Sequence, residues 1–283
     1  MKTLSFRFDV DTAADIRNGI PKLLDLGREL DAHFSFYVNV GKPFSFKVTL
    51  ARRLRTSLAR LRFRSDSRAV RTARVTAYEK LGLRGILETC LWNRDLGVTY
   101  RDQLRKILKE GHELGLHGGM NHAIWQYKLH EMTDGEIDDL FRPAYDTFSQ
   151  LFGKPVGYCS PGFVYSEHVL DIVDEYGFLY ASDMEGESPF HPAVRGKEYA
   201  HTQIPVNVVG DGKASFISQQ LALGSTDEEM VTALLEEINR HTTAVLYGHP
   251  SIEGGMALHV LRKTILEARA VDYRIVPLRS LVS

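Results

Sequence analysis

The 283-residue chain is poor in cysteine and contains no long apolar run and no linker-like segment. Its two cysteines, Cys90 and Cys159, do not form a CxxC pair, which argues against a disulfide framework and favours the reducing cytoplasm. No apolar run is long enough to span a bilayer, and the polar start Met1-Lys2-Thr3 does not resemble a signal peptide. We therefore expect one domain over residues 1–283, without an internal repeat or a Pro/Gly/Ser-rich linker.

Short β-rich segments alternate with helical patterns along the chain. Strands are predicted at residues 3–8, 33–40, 113–117, 157–159, 179–182, 201–206, 244–247 and 273–277. After the first strand, apolar residues recur with helical period at Ile16, Ile20, Leu23, Leu24 and Leu30. Capping boxes are predicted from Thr133 to Glu136 and from Ser225 to Glu228. About seven strand–helix units predict an α/β barrel or a doubly wound sheet, and both folds carry their chemistry at the carboxyl ends of strands.

Carboxylates and imidazoles follow several of these predicted strands. Asp9 and Asp11 lie two residues apart and so share one face of their strand. A catalytic base beside a metal ligand would have this arrangement. Taken alone, each could equally be a solvated acidic residue of a turn. His117 ends a later strand, and a glycine-containing loop leads from it to His122. Two imidazoles and one carboxylate leave coordination positions open for water, as a hydrolytic Zn²⁺ requires. Polar loop histidines without a metal are the alternative.

The order and spacing of these motifs resemble the NodB-homology polysaccharide deacetylases, carbohydrate esterase family 4, over nearly the whole chain. Within that superfamily, the chain resembles the family of deformylases that act on 4-deoxy-4-formamido-L-arabinose-phosphoundecaprenol. The motifs that carry this resemblance are Phe8-Asp9-Val10-Asp11-Thr12, Gly19-Ile20-Pro21, Gly115-Leu116-His117, His122-Ala123-Ile124-Trp125, Gly153-Lys154-Pro155-Val156, Cys159-Ser160, Ser182-Asp183, Gln203-Ile204-Pro205-Val206, and His249 followed by Glu253-Gly254.

The resemblance implies a distorted (β/α)7-type barrel and a metal-dependent amidase that removes a formyl or acetyl group from an N-acylated amino sugar. It implies Asp9 as the base, and Asp11, His117 and His122 as ligands of a divalent metal, most simply Zn²⁺. It also implies His249 as the acid, with Asp183 orienting the imidazole. Ser160, Phe163 and Trp125 would belong to the substrate or oxyanion region, where a backbone N–H near Phe163 would help to hold the oxyanion.

Two positions depart from the pattern of the resembled superfamily. Its deacetylases have an arginine that supports the catalytic aspartate at the position of Cys159. They commonly space the two histidines by four residues, which would select Asn121 instead of His122. Imidazole is the better Zn²⁺ ligand, so His122 is the predicted ligand. Cys159 is interpreted as a small buried residue, because no base is paired with it in the sequence.

Positive charge is concentrated in one segment, although the chain as a whole has a net charge of −1. Residues 47–84 contain twelve basic and two acidic residues, a net charge of +10, which leaves −11 for the remainder. Leu50, Leu54, Leu58 and Leu61 recur with helical spacing there, so a basic helical insertion is predicted at about 43–99. Its membrane-facing candidates are Arg52, Arg53, Arg55, Arg60 and Arg62.

This segment is predicted to bind an anionic membrane surface, such as that of the inner membrane, which a polyprenyl-phosphate-linked sugar substrate would require. A helix packed on the barrel with solvated arginines is the alternative. No nucleic-acid-binding module accompanies the charge, so nucleic acid is not an expected partner. Two other functions stay open: deacetylation of a soluble glycan or sugar, and a non-catalytic role in binding a sugar or a lipid.

Overall fold

The computed structural model describes residues 2–50 and 92–282. Each predicted strand is present, and the structure adds a short two-stranded hairpin. In chain order the strands are β1 (Lys2–Val10), β2 (Ser35–Val38), β3 (Glu113–His117), β4 (Gly157–Cys159), β5 (Tyr180–Ala181), β6 (Ala193–Val194), β7 (Lys197–Glu198), β8 (Thr202–Gln203), β9 (Thr243–Gly248) and β10 (Tyr273–Ile275).

The strands form a curled sheet in which all neighbours are parallel. Its order is β9, β1, β2, β3, β4, β5 and β8, and β10 pairs with the first residues of β1. A parallel bridge between Val208, beyond β8, and Leu246 of β9 brings the two ends of the curled sheet together. The predicted α/β barrel is therefore confirmed as a distorted barrel.

Helices surround this sheet. Those that the structure describes over their full length are α1 (Ile20–Leu30), α2 (Leu96–Thr99), α3 (Arg101–Lys109), α4 (His122–Lys128), α5 (Asp134–Phe152), α6 (Glu167–Glu175), α7 (Phe216–Leu223), α8 (Asp227–Ile238), α9 (Pro250–Glu253) and α10 (Leu258–Ala270). The apolar residues of the first helical pattern are buried, as their period predicts. A capping box opens α5 at Thr133 as predicted, but the second box begins at Thr226, one residue later than predicted.

Strand β1 shows how the sequence divides the two faces of the sheet. Its alternate residues Leu4, Phe6, Phe8 and Val10 belong to the apolar core that includes the surrounding helices. Side chains of a strand alternate between faces, so Ser5, Arg7 and Asp9 point into the barrel. These three polar residues are buried as well. On this strand, the side chains that face the barrel interior are therefore polar and require hydrogen-bond partners.

The amino-terminal end of the barrel is closed by hydrogen bonds. The Glu113 carboxylate accepts from the Ser35 hydroxyl at 2.5 Å and from the Tyr180 hydroxyl at 2.7 Å. The backbone N–H of Leu278 donates to Ser35 Oγ at 2.8 Å, which brings the C-terminal segment under the barrel. The cavity described below opens at the other end, where the strands finish.

Residues 51–91 lie outside the described part of the chain, and with them Arg52, Arg53, Arg55, Arg60 and Arg62. The membrane-facing assignment of these arginines and most of the predicted insertion at 43–99 stay predictions. Over residues 2–50 and 92–282, no helix is long and apolar enough to cross a bilayer.

Candidate metal centre and active site

A cavity of about 250 Å³ opens at the carboxyl ends of the strands. The predicted residues Asp9, Asp11, His117, His122 and His249 all line it. They come from the ends of β1, β3 and β9 and from the start of α4. Residues far apart in the chain therefore meet there because parallel strands end on the same side of the barrel.

The Asp11 carboxylate is at the centre of the three imidazoles. Its Oδ1 atom lies 3.2 Å from Nε2 of His117 and 3.2 Å from Nε2 of His122, and its Oδ2 atom lies 3.2 Å from Nε2 of His249. One ligand atom each from Asp11, His117 and His122 can be chosen so that all three lie within 4.8 Å of one another. This is the donor set of two imidazoles and one carboxylate predicted from the sequence.

His117 is held with its Nε2 atom toward Asp11. On the other side of the ring, Nδ1 lies 3.0 Å from the carbonyl oxygen of Cys159 and 2.9 Å from its sulfur. A hydrogen bond from Nδ1–H to that carbonyl fixes the tautomer in which Nε2 can accept a metal. The next residue, Gly118, has φ +65° and would place a Cβ atom 2.5 Å from Pro161, so the loop requires glycine there.

His122, and not Asn121, points its side chain at Asp11. Asn121 is the N-cap of α4, and its side-chain oxygen accepts from the backbone N–H of Ile124 at 3.0 Å. Its amide nitrogen lies 3.4 Å from the carbonyl oxygen of Phe44. The Asn121 side chain is therefore engaged in capping the helix, while the next residue carries the imidazole into the cavity.

Asp9 is held by an arginine that the sequence analysis missed. Arg7 Nε donates to Asp9 Oδ1 at 2.8 Å and the terminal nitrogen Nη2 donates to Oδ2 at 2.8 Å, a bidentate pair. The Arg7 side chain is fully buried and also donates to the carbonyl oxygen of Ser182. Burial alone would raise the pKa of Asp9, but the charge of Arg7, the charge of His117 and the Arg7 hydrogen bonds together hold that pKa below its usual range.

Arg7 occupies a different place in the chain from the arginine of the resembled deacetylases. Cys159 stands at the position where the sequence resemblance implies that arginine, and its sulfur lies 3.6 Å from Asp9 Oδ1. Burial raises the pKa of the Cys159 thiol well above its usual range, so this cysteine stays protonated. The support for Asp9 comes instead from β1 itself. The signal was in the sequence, because Arg7, Asp9 and Asp11 lie at alternate positions and so share one face.

His249 is positioned through its backbone. The buried Glu253 carboxylate accepts from the His249 N–H at 2.5 Å and from the Ser215 hydroxyl at 2.5 Å. The Nδ1 atom of His249 is buried without a hydrogen-bond partner among the described residues. The predicted orientation of His249 by Asp183 is therefore not formed; the imidazole approaches Asp11 instead.

Asp183 hydrogen-bonds to the backbone that follows the neighbouring strand, β4. Its carboxylate accepts from the backbone N–H of Ser160 at 2.5 Å, and its own N–H donates to Gln203 at 3.1 Å. Burial raises the pKa of Asp183 to about 6, although the nearby Arg7 charge lowers it. Asp183 thus fixes the turn after β4, a contact that no local sequence signal indicated.

The predicted substrate and oxyanion region is only partly in the cavity. Trp125 is fully buried, donates to Ser160 Oγ at 2.7 Å and packs against Phe141, so neither Trp125 nor Ser160 lines the cavity. The Phe163 ring does line it. The Phe163 N–H itself donates to the carbonyl oxygen of Ser160 at 3.0 Å, and the assignment of the oxyanion donor to a backbone N–H near Phe163 stays a prediction.

The charges of the metal-ligand set stabilise one another. Burial alone would raise the pKa of Asp11, but His122, His117 and His249 hold it well below its usual range. Burial would lower the pKa of His117, but the Asp9 and Asp11 carboxylates outweigh it and raise it. A proton on His117 therefore competes with a cation for the same nitrogen.

Comparisons with known proteins concern the chain as a whole. No protein-family model matches the chain. A protein of Shewanella sediminis named "Probable 4-deoxy-4-formamido-L-arabinose-phosphoundecaprenol deformylase ArnD" is 28% identical over 286 residues, covering 99% of this chain and 85% of that protein.

Solved structures show the same fold. A candidate polysaccharide deacetylase from Mycobacterium smegmatis superposes with a TM-score of 0.64 at 17% identity, covering 99% of this chain and 89% of that one. The chain is a homologue of the deformylase and has the NodB-homology polysaccharide deacetylase fold. A family 4 acetyl xylan esterase from Clostridium thermocellum, solved with a cobalt ion, superposes with a TM-score of 0.53 at 13% identity, covering 99% of this chain and 90% of that one. The resemblance seen in the sequence is thus confirmed.

Proposed function

We propose that this protein is a divalent-metal-dependent hydrolase that removes the formyl group from an N-formylated amino sugar linked to polyprenyl phosphate. The observation that carries the proposal is the placement of Asp9 beside the set of Asp11, His117 and His122 in one cavity. The homologous deformylase supports the choice of a formyl group and of a lipid-linked sugar.

Asp11, His117 and His122 fit a small divalent cation such as Zn²⁺. Two imidazole nitrogens and a carboxylate oxygen are ligands that Zn²⁺ accepts, and the His117 tautomer is fixed by the Cys159 carbonyl. When bound, the cation would polarise the amide carbonyl and lower the pKa of a water molecule to about 7.

The chain's own residues would then move two protons. Asp9, ionised and held by Arg7, takes the proton from the water as its oxygen bonds to the formyl carbon. His249, which lines the same cavity, protonates the sugar nitrogen as the C–N bond breaks. The products are formate and the free amino sugar.

The test is to load the full chain with Zn²⁺, Co²⁺ or Mn²⁺ and to measure formate release and bound metal. Asp9→Asn should keep the metal and lose turnover by about 10²- to 10⁴-fold, since only proton transfer is removed. His117→Ala should lose both metal and turnover. A metal-free preparation with full activity would overturn the proposal, and loss of metal from Asp9→Asn would exchange the roles of Asp9 and Asp11.

The proposal extends to the membrane. Asn93 donates to the Phe44 carbonyl oxygen at 2.8 Å and accepts from the Phe44 N–H at 3.2 Å, and the Asn121 amide nitrogen lies 3.4 Å from the same carbonyl oxygen. Nearby in the chain, Phe46 is 70% exposed and Trp92 is 58% exposed. The predicted docking of the basic segment on the cytoplasmic side of the inner membrane is part of this proposal. Exposed aromatic rings and arginines are typical of an anionic membrane interface.

Co-sedimentation with liposomes tests the docking separately from catalysis. The full chain should bind vesicles that contain anionic lipid, and binding should weaken as salt rises. A variant in which the five predicted membrane-facing arginines become glutamine should bind poorly. If the wild-type chain does not bind anionic vesicles, a soluble glycan is favoured as the substrate.

A further inference from the structure

A lysine side chain lines the cavity together with the acidic residues. Among the described residues that line the cavity, Lys213 is the one lysine or arginine. Asp9 and Asp11 supply carboxylates to the same cavity. A ligand that matches this distribution has a neutral group to be hydrolysed at one end and an anionic group at the other.

The backbone at Lys213 is held in an uncommon conformation. Gly212 has φ +61° and Lys213 has φ +60°, the left-handed region that residues with a side chain rarely adopt. The Tyr247 hydroxyl donates to the carbonyl oxygen of Lys213 and thereby ties this turn to β9. Such conformations persist where the surrounding structure enforces them, and they concentrate at ligand sites.

The Lys213 ammonium group stands at the rim of the cavity with a displaceable partner. Its Nζ atom lies 3.1 Å from Oε1 of Glu185 and 5.7 Å from the centre of the Phe163 ring. The Lys213 side chain is 42% exposed and that of Glu185 is 83% exposed. An exposed ion pair of this kind contributes little, so an anionic ligand can replace Glu185.

We propose that Lys213 binds the phosphate group of a sugar phosphate substrate and so selects phosphate-linked over neutral sugars. The inference rests on the proposed deformylase function and names the part of its substrate that the rim recognises. In the substrate complex, the N-formyl group lies near Asp11 and the phosphate replaces Glu185 as the partner of Lys213. Charge-assisted hydrogen bonds of this type make the phosphate a determinant of affinity.

The experiment compares three substrates that carry the same N-formyl amino sugar: a short-chain prenyl phosphodiester, the 1-phosphate monoester and the uncharged methyl glycoside. The measured quantity is a selectivity ratio, which is kcat/KM on a phosphate substrate divided by kcat/KM on the methyl glycoside. For Lys213→Gln this ratio should be about 10- to 100-fold lower than for wild type with each phosphate substrate. The loss should lie mainly in KM, because the phosphate group that Lys213 contacts does not take part in the reaction.

Matched variants separate charge from structure. Lys197 also pairs with a carboxylate, that of Asp171, and lies 5.1 Å from the ring of Tyr199, but it is outside the cavity. Lys197→Gln should keep the wild-type ratios. Lys213→Asn removes the charge with a residue that tolerates left-handed backbone, and it should reproduce Lys213→Gln even if the latter folds poorly. Lys213→Arg should retain most of the selectivity.

Binding to metal-free protein provides a readout without turnover. Calorimetric titration with a short-chain prenyl phosphate should show a dissociation constant about 10- to 100-fold weaker for Lys213→Gln than for wild type. The inference would be overturned if both Lys213→Gln and Lys213→Asn kept the wild-type ratios of kcat/KM on the phosphate substrates to kcat/KM on the methyl glycoside. It would also be overturned if kcat/KM fell only on the prenyl phosphodiester. If wild type binds the prenyl phosphate through Lys213 but deformylates none of the three substrates, the proposed function fails and the phosphate site stands.

Discussion

Replacing Arg7 with methionine should destabilise the protein more than any surface substitution of an arginine. The change removes both hydrogen bonds to Asp9 and leaves that carboxylate buried, since Arg7 is fully buried and Asp9 is 4% exposed. Removal of one partner of a buried ion pair costs about 3–5 kcal/mol. For a chain of this size, we expect Tm to fall by roughly 10 °C.

Urea unfolding of metal-free protein measures this cost. The control is Arg262→Met, because Arg262 pairs with Glu29 at 2.7 Å but both side chains are substantially exposed, and the expected cost is below about 1 kcal/mol. The Arg7→Met/Asp9→Asn double variant should be less destabilised than the sum of the two single variants by about 2 kcal/mol. Equal costs for Arg7→Met and Arg262→Met, or an additive cycle, would refute the reasoning.

The same variant should change catalysis and its pH dependence. Arg7 holds the pKa of Asp9 below its usual value, so without Arg7 burial raises that pKa and the acid limb of the kcat/KM profile moves to higher pH. Turnover at neutral pH should fall by about 10- to 100-fold with metal retained. The stability that the pair contributes is present above pH of about 4 and is lost as the pH falls through the depressed pKa of Asp9. Loss of the metal from Arg7→Met would contradict this separation of roles.

Three further predictions concern His249, His112 and Cys159. His249→Ala should lower kcat by about 10²- to 10⁴-fold with metal retained, and normal turnover would assign the acid elsewhere. Burial lowers the pKa of His112 to about 4, so the neutral imidazole stabilises the folded state most above pH 6.5. The free energy of unfolding, measured as a function of pH, should fall by roughly 3 kcal/mol as the pH drops to 4. The His112→Gln variant should lack this fall. Cys159→Ala should keep activity, because His117 contacts the backbone carbonyl at that position, and thiol alkylation of native Cys159 should be slow.

The strand framework was predictable because it depends on local patterns. The alternation of apolar and polar residues in β1 and the apolar period of the first helix follow from side-chain geometry alone. The placement of Asp9, Asp11, His117 and His249 in one cavity follows from the parallel order of the strands. These features required no knowledge of long-range contacts.

The contacts of Asp183, Trp125 and Ser160 were not predictable in this way. Asp183 accepts the N–H of Ser160, and Trp125 donates to the hydroxyl of the same residue, so all three stabilise one turn. A carboxylate near the end of a strand can turn either to an imidazole or to a backbone N–H. The choice depends on how β4 and β5 pair, which the sequence alone does not specify.

Arg7 holds the base Asp9 from the same strand, β1, whereas the metal ligand His117 is held by the carbonyl oxygen of Cys159 on β4. Arg7 and Asp9 lie on the same strand two residues apart, so their bidentate geometry depends mainly on the backbone of β1. An arginine at position 159 would instead depend on the pairing of β3 with β4. With Arg7 on β1, position 159 accommodates a small residue whose carbonyl oxygen can fix the His117 tautomer. The bidentate contact that orients Asp9 and the carbonyl contact that orients His117 therefore come from different residues, which is why Arg7→Met should impair turnover without releasing the metal.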